Sequence, residues 1–407
     1  MKTAIFTYPW DYLDEGTDVV LDRFENIGIN GIYVAQRYHT AEILLPHNPR
    51  RKIYFPTPGA IYFKHDPKIY NNCLIKPVVS PIVKDDNFNA LEILRKKTQE
   101  RNIGLYAWIL GFHSTETGNN YPETSITNVF GDKLKHSQCP SNQDVVEYLI
   151  NIVSDIVSHY NIDKILLESI ENLGIYHGFH HEMFGLSPEP AIAFFLGLCF
   201  CPNCIKNAKK RNIDIELVKN TVKNTINSYF KDEKGLESKT WAFIRNMANC
   251  NMGRYLDMRQ DIIVDIHKDL KNTIRKYTNC KIVISDFGPM KYSYYLGPDD
   301  SAWENGVNFK KIASYIDAIV PTFYKDNLND FAPKYEELKN MLSDKTKIGI
   351  AFLSLEMPGT THSGKLKEYL TEAVNIFKNK PEMDEFSFYN YSLMSLETLD
   401  LIKDLIK

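Results

Sequence analysis

Eight short apolar runs, most of them followed by a stretch of helical periodicity, constrain this chain more than any other feature. They are "TAIFTY" (3–8), "GIYVAQ" (31–36), "GLYAWIL" (104–110), "KILLES" (164–169), "KIVISD" (281–286), "DAIVPTFY" (317–324), "KIGIAFL" (347–353) and "EFSFYNY" (385–391). Near-continuous hydrophobicity is what parallel strands need when both faces are covered. Between the runs lie helical patterns. "TDVVLDRFENIGI" follows the first, with Thr17 or Asp18 expected to cap it. "NFNALEILRKKTQERN" ends in basic residues that suit a helix C-terminus, and "NQDVVEYLINIVSDIVSHYN" precedes the fourth run. One long amphipathic stretch covers residues 239–277, and three further helices follow, the last of them after the eighth run. This alternation predicts the α/β class and a (β/α)8 TIM barrel, taken as one unit over residues 1–407. A nucleotide-binding doubly wound sheet loses support, because no Gly-rich loop follows the first strand.

Two stretches exceed what a barrel needs. Residues 38–86 form a long loop after strand two, and residues 170–236 an insertion after strand four, with two or three helices expected. Both follow a strand, so both fall on the C-terminal face, where barrel enzymes carry their chemistry.

Composition narrows the partners. Hydrophobic residues at 43% and charged residues at 24% describe a globular chain, and a formal net charge of −3 gives no reason to expect a nucleic acid or an anionic membrane. The densest basic cluster, "HNPRRK", is short and lies beside aromatics. No apolar run reaches the roughly 18 residues of a membrane span, and no signal segment is visible. Seven cysteines, an odd number with three clustered, suit a reducing compartment, so a cytoplasmic location is expected.

Glu168 closes strand four after "KILL". A carboxylate leaving a buried strand at that face is poorly solvated and can be tuned as acid, base or nucleophile. Asp286 ends strand five in "VISDFGP" in the same way, and Glu356 lies just past strand seven in "FLSLEMPG"; either can be the second carboxylate of a pair. Aromatics crowd the same rim: Tyr8 and Trp10 after strand one, Trp108 in strand three, Tyr324 after strand six, Tyr389 and Tyr391 in strand eight. Sugar rings stack on such side chains, and their hydroxyls need polar partners such as Gln36, Arg37, His113 and Asn390. Trp108 reads as core before ligand platform.

"YHGFHHE" supplies His177, His180 and His181, which can bind substrate, hold a metal or form a plain polar loop. The segment lacks HExxH and is Gly-interrupted, which argues against a zincin-type site. "LCFCPNC" places Cys199, Cys201 and Cys204 within one turn, with Pro202 favouring a helix start after Cys201. Three soft ligands suggest a structural zinc completed by Cys139 or by one of the three histidines. Reduced, packed thiols are the alternative.

In order along the chain, "LPHNPRR", "NVFGDKLKHSQCPSN", the strand-four "ILLES", "YHGFHHE" and "LCFCPNC" resemble uncharacterised bacterial glycoside-hydrolase-like (β/α)8 barrel proteins. The resemblance implies a carbohydrate-active barrel with an acid on strand four, at Glu168. A second acid on strand seven would fall on Glu356, and one on strand five on Asp286. The Asn-Glu pair common before the strand-four acid of many glycosidases is Leu167-Glu168 here. The expected activity is cleavage of a glycosidic bond in a small or oligosaccharide substrate, with no cofactor required for the chemistry and no oligomeric state assigned. The alternatives are a metal-dependent hydrolase built on His177, His180 and His181, and a non-catalytic carbohydrate-binding barrel.

Overall fold

The structure is a computed structural model, and it describes residues 2–175, 189–232, 241–286, 301–323, 328–354 and 364–406. Eight parallel strands close into a barrel: β1 (Thr3–Thr7), β2 (Gly31–Arg37), β3 (Gly104–Leu110), β4 (Lys164–Glu168), β5 (Lys281–Asp286), β6 (Ala318–Phe323), β7 (Lys347–Leu353) and β8 (Met383–Tyr389). Each strand pairs with its sequence neighbours, and β8 returns to β1 with Ile5 opposite Phe388. The expected TIM barrel is the observed fold.

Strand parity divides the core. Ile5, Ile32, Val34, Leu105, Ile109, Ile165, Leu167, Ile284 and Ile319 cluster with residues of the surrounding helices. Ala4, Phe6, Tyr33, Ala35, Tyr106, Trp108, Leu166, Val283, Val320 and Ala351 cluster mainly with one another and with loop residues, so they fill the barrel. Glu168 has the parity of Leu166 and therefore faces inward.

The N-terminal end is plugged. Lys164 Nζ lies 2.6 Å from Glu385 Oε2 and 3.0 Å from Asp384 Oδ2, Lys281 Nζ reaches Asp384 Oδ1 at 3.1 Å, and the Tyr33 hydroxyl donates to Glu385. The Lys164 ammonium also sits 4.6 Å from the centre of the Tyr106 ring. Gly31 is required beside it, since a Cβ there would meet that ring at 2.5 Å. Burial works against the charge on Lys164, but Glu385 and Asp384 outweigh it and hold the ammonium above its ordinary range. Burial pushes Asp384 up, and Lys164 and Lys281 more than reverse this, bringing it to about 2.

Several boundaries differ from the sequence reading. Strand four stops at Glu168 because Ser169 adopts φ +57°, in the left-handed region. Strand eight lies at 383–389, so Tyr391 falls in the following turn, where its ring packs edge-on against Phe24. The helix Thr17–Ile27 is capped by Gly16, with Thr17 already helical, so neither Thr17 nor Asp18 is the cap. The stretch expected as one long helix breaks into Trp241–Asn246 and Asn251–Arg275, because Ala248, Asn249 and Cys250 all take positive φ. An unexpected helix, Pro9–Glu15, follows β1, and an unexpected hairpin, Ser125–Thr127 with Lys133–Gln138, follows β3.

The "HNPRRK" cluster is held internally by that first helix. Asp14 receives Asn48 Nδ2 at 3.0 Å and Arg51 Nη2 at 2.8 Å, and Glu15 pairs with His47 at 3.2 Å. The basic loop is therefore an anchor for residues 38–86. The insertion contributes helices Pro190–Leu196, Pro202–Lys210 and Ile215–Asp232, whose apolar faces bury Phe195, Val218 and Val222 with Tyr255 and Leu256 of the 251–275 helix. No helix among the described residues is long and apolar enough to cross a membrane.

Candidate active site

Glu168 emerges at the C-terminal mouth, partly open to solvent and crowded by protein on its other sides. Trp108, inward-facing on the neighbouring strand, donates its indole N–H to Glu168 Oε2 at 2.6 Å. Burial drives the Glu168 carboxyl up to about 7, the Trp108 hydrogen bond works against that rise, and the charge of Glu171 adds to it. An indole is neutral, so the carboxylate gains a donor without gaining a counter-charge. That combination leaves it half protonated near neutral pH, poised to give or take a proton.

Three phenols crowd the Trp108 ring. Tyr8, Tyr38 and Tyr389 come from just past β1, just past β2 and the end of β8, and their hydroxyls form a triangle. Tyr8 donates to Tyr38 at 2.7 Å, and each lies 3.2 Å from the Tyr389 hydroxyl. Their ring centres lie 5.6, 5.3 and 6.1 Å from that of Trp108. The negative charge of Glu168 reaches Tyr38 and Tyr389 and disfavours their ionisation, although burial is the larger cause for both. The phenols therefore stay neutral donors. The Tyr389–Asn390 peptide bond is cis.

The other sequence-derived candidates divide sharply. Tyr8 and Trp10 are buried and stacked 4.3 Å apart, and Trp10 also lies 4.3 Å from Tyr54, so this part of the rim is an internal aromatic pile. Arg37 is buried away from the mouth: it donates to the carbonyls of Leu110 and Gly111 and lies over the Tyr148 ring. Gln36 is buried and bonds its own strand at Val34. His113 stacks on His39 at 4.4 Å and meets His136 edge-on at 6.3 Å. Asn390 is buried, its Oδ1 accepting from the Ser392 amide at 3.0 Å. Asp286 ends β5 as expected, but its side chain lies outside the described residues, as do Glu356, Tyr324, His177, His180 and His181.

Sequence reasoning missed Tyr38, the hydroxyl triangle and the role of Trp108 as donor. The last was findable: Trp108 and Glu168 face inward on adjacent strands, one pleat apart in a register that sets Leu110 opposite Glu168.

The four sulfurs of Cys139, Cys199, Cys201 and Cys204 all lie within 4.8 Å of one another and are buried. Cys139 Sγ is 3.5, 3.6 and 3.7 Å from those of Cys204, Cys199 and Cys201. A tetrahedral zinc with Zn–S near 2.3 Å sets sulfurs about 3.8 Å apart, so the set fits such an ion. Cys201 caps the helix Pro202–Lys210, and the other three thiols, Cys139 first, hold its sulfur well below the ordinary thiol range. The Thr127 amide donates to Cys199 Sγ at 3.4 Å.

No known family model matches the sequence, and no curated protein matches it by sequence. Solved structures do match by shape. A β-galactosidase from the psychrophilic Marinomonas ef1 superposes with TM-score 0.57 at 11% identity, over 100% of this chain and 59% of that one. The PgaB (BpsB) glycoside hydrolase domain from Bordetella bronchiseptica gives TM-score 0.55 at 12% identity, over 100% and 99%. α-L-Fucosidase isoenzyme 2 from Paenibacillus thiaminolyticus gives 0.52 at 10% identity, over 95% and 44%. The chain thus spans about three-fifths of the β-galactosidase chain it resembles. At such identities the likeness is one of fold alone: a TIM barrel.

Proposed function

We propose that this protein is a glycoside hydrolase acting on a small glycoside or oligosaccharide, with Glu168 as its general acid. The observation that carries the reading is the inward Glu168 carboxyl at the barrel mouth, raised to about 7 and bonded to an indole in place of a cation. A carboxylic acid still protonated near neutrality can protonate the leaving glycosidic oxygen, and then accept the proton of the attacking water. A second carboxylate acts as nucleophile or base, and Glu356 or Asp286 is assigned that part. A separation of about 5 Å from Glu168 gives retention of configuration, and about 6.5–9.5 Å gives inversion. Fold analogy with carbohydrate-cleaving barrels supports the class and says nothing about the sugar.

Cys139, Cys199, Cys201 and Cys204 hold a structural zinc in this reading. With four thiolates no position is open to substrate, so the ion takes no part in the chemistry. Its effect is to fasten the hairpin after β3 to the insertion after β4.

The test is an aryl-glycoside screen of wild type and Glu168→Gln, with metal content measured on the same samples. Turnover in wild type that collapses in the variant, with one zinc per chain in both, is the expected result. Equal turnover in both proteins refutes the assignment of Glu168. Zinc that persists in Cys201→Ser refutes the tetrathiolate site.

A further inference from the structure

Asp11 is a buried carboxyl that the proposed chemistry does not use. It sits in the first turn of the helix Pro9–Glu15 and is 1% exposed. Its Oδ2 accepts from the Tyr8 amide at 2.8 Å, and its Oδ1 accepts from the Ser392 hydroxyl. The first contact is an ordinary helix-cap arrangement. The second is not local: it crosses 381 residues of sequence to the turn that follows β8. Ser392 is held in turn by Asn390, next to Tyr389.

One carboxyl therefore grips the backbone of Tyr8 on one side and the turn beside Tyr389 on the other. These two phenols meet beside Trp108, the indole that is bonded to Glu168. The charged and titratable groups acting on Asp11 are Glu15 on its own helix and His47 from the loop after β2; Tyr12 and Tyr391 also feel its charge. None of them is a cation bonded to Asp11 among the described residues, so geometry is what Asp11 supplies.

We propose that Asp11 is a positioning residue for the site: by joining the two ends of the barrel seam it sets the Tyr8–Tyr38–Tyr389 triangle beside the Trp108 indole and keeps water from the Glu168 carboxyl. The inference rests on the Glu168 reading above. Loosening the seam admits water, which favours the ionised carboxylate and lowers its midpoint. Asp11→Asn keeps an acceptor for the Tyr8 amide, and the Ser392 hydroxyl can turn to accept from the new amide, so it preserves the link.

The indole N–H resonance of Trp108 reads Glu168 directly and needs no substrate. It is assigned with Trp108→Phe, and Glu168→Gln removes its titration. The wild-type resonance is expected to titrate near pH 7. In Asp11→Ala the midpoint falls by half a unit or more, roughly, as solvation returns. Ser392→Ala, which spares the carboxyl and the helix cap, moves it the same way by less, and Asp11→Asn restores it. Ile402→Ala, a fully buried deletion on the last helix, lowers the melting temperature without moving the midpoint. An unmoved midpoint in folded Asp11→Ala and in Ser392→Ala overturns the inference alone. If Asp11→Ala does not fold, Ser392→Ala decides it. A wild-type indole signal that is flat through pH 7 overturns the raised acid itself, and this inference with it.

Discussion

Replacing Glu168 by Gln should stabilise the protein at alkaline pH while removing the proposed chemistry. The carboxyl moves from an ordinary value of 4.5 when unfolded to about 7 when folded. A raised folded value means that the stability tied to the bound proton is complete below pH 4.5 and is lost as pH rises through 7. At 1.36 kcal/mol per unit, a rise of this size corresponds to about 3 kcal/mol lost by pH 8, an upper figure because the group keeps some access to water. Gln cannot ionise, yet its carbonyl can accept the Trp108 N–H. For 407 residues the unfolding entropy is roughly 0.85 kcal/mol/K, so each kcal/mol is about 1.2 °C in Tm. Differential scanning calorimetry of both proteins from pH 5 to pH 8.5 should therefore show the Gln variant gaining ground by up to about 3–4 °C across that range. Parallel Tm curves would refute the reasoning, because they would mean that Glu168 titrates alike in the folded and unfolded chains.

Two further outcomes follow from the same physics. Trp108→Phe removes a donor that favours the charged form, so the alkaline limb of kcat/KM should move above pH 7 with a lower plateau; a limb that moves down contradicts the role given to the indole. Lys164→Met strands Glu385 at the bottom of the barrel, leaves Asp384 to Lys281, and should cost about 3–5 kcal/mol, read as a fall in Tm, while the Trp108 indole titration stays in place. Because Asp384 is depressed to about 2, its contribution is present above pH 4 and fades below it, so the wild type and this variant should converge as pH falls from 4 toward 2.

Much of the architecture is legible in the chain because a parallel barrel writes each strand as a local apolar run, and a run of that kind needs no knowledge of its partners. Glu168 is legible for the same reason: a carboxylate directly after "KILL" can only sit at a strand end. The hydroxyl triangle is not, since Tyr8, Tyr38 and Tyr389 become neighbours only when the first, second and eighth strands close the ring. Arg37 reads as a rim residue from position alone, but a register shift between Ala35 and Arg37 turns it toward the 143–159 helix. The break at 248–250 is invisible to periodicity, because the apolar spacing continues on both sides of three residues in the left-handed region. Cysteine chemistry carries further: three thiols in one turn ask for a fourth, and Cys139, 60 residues before Cys199, supplies it.

The seam between β1 and β8 also has a temporal side. Tyr8 and Tyr389 are 381 residues apart, so a ribosome adding about 5–20 residues per second needs some 20–80 s between making the first phenol and the second. Throughout that interval the nascent chain carries Trp108 and Glu168 without the full set of phenols that pack beside the indole. The hydroxyl triangle is thus a feature only the nearly complete polypeptide can have, because its third member is made 381 residues after its first.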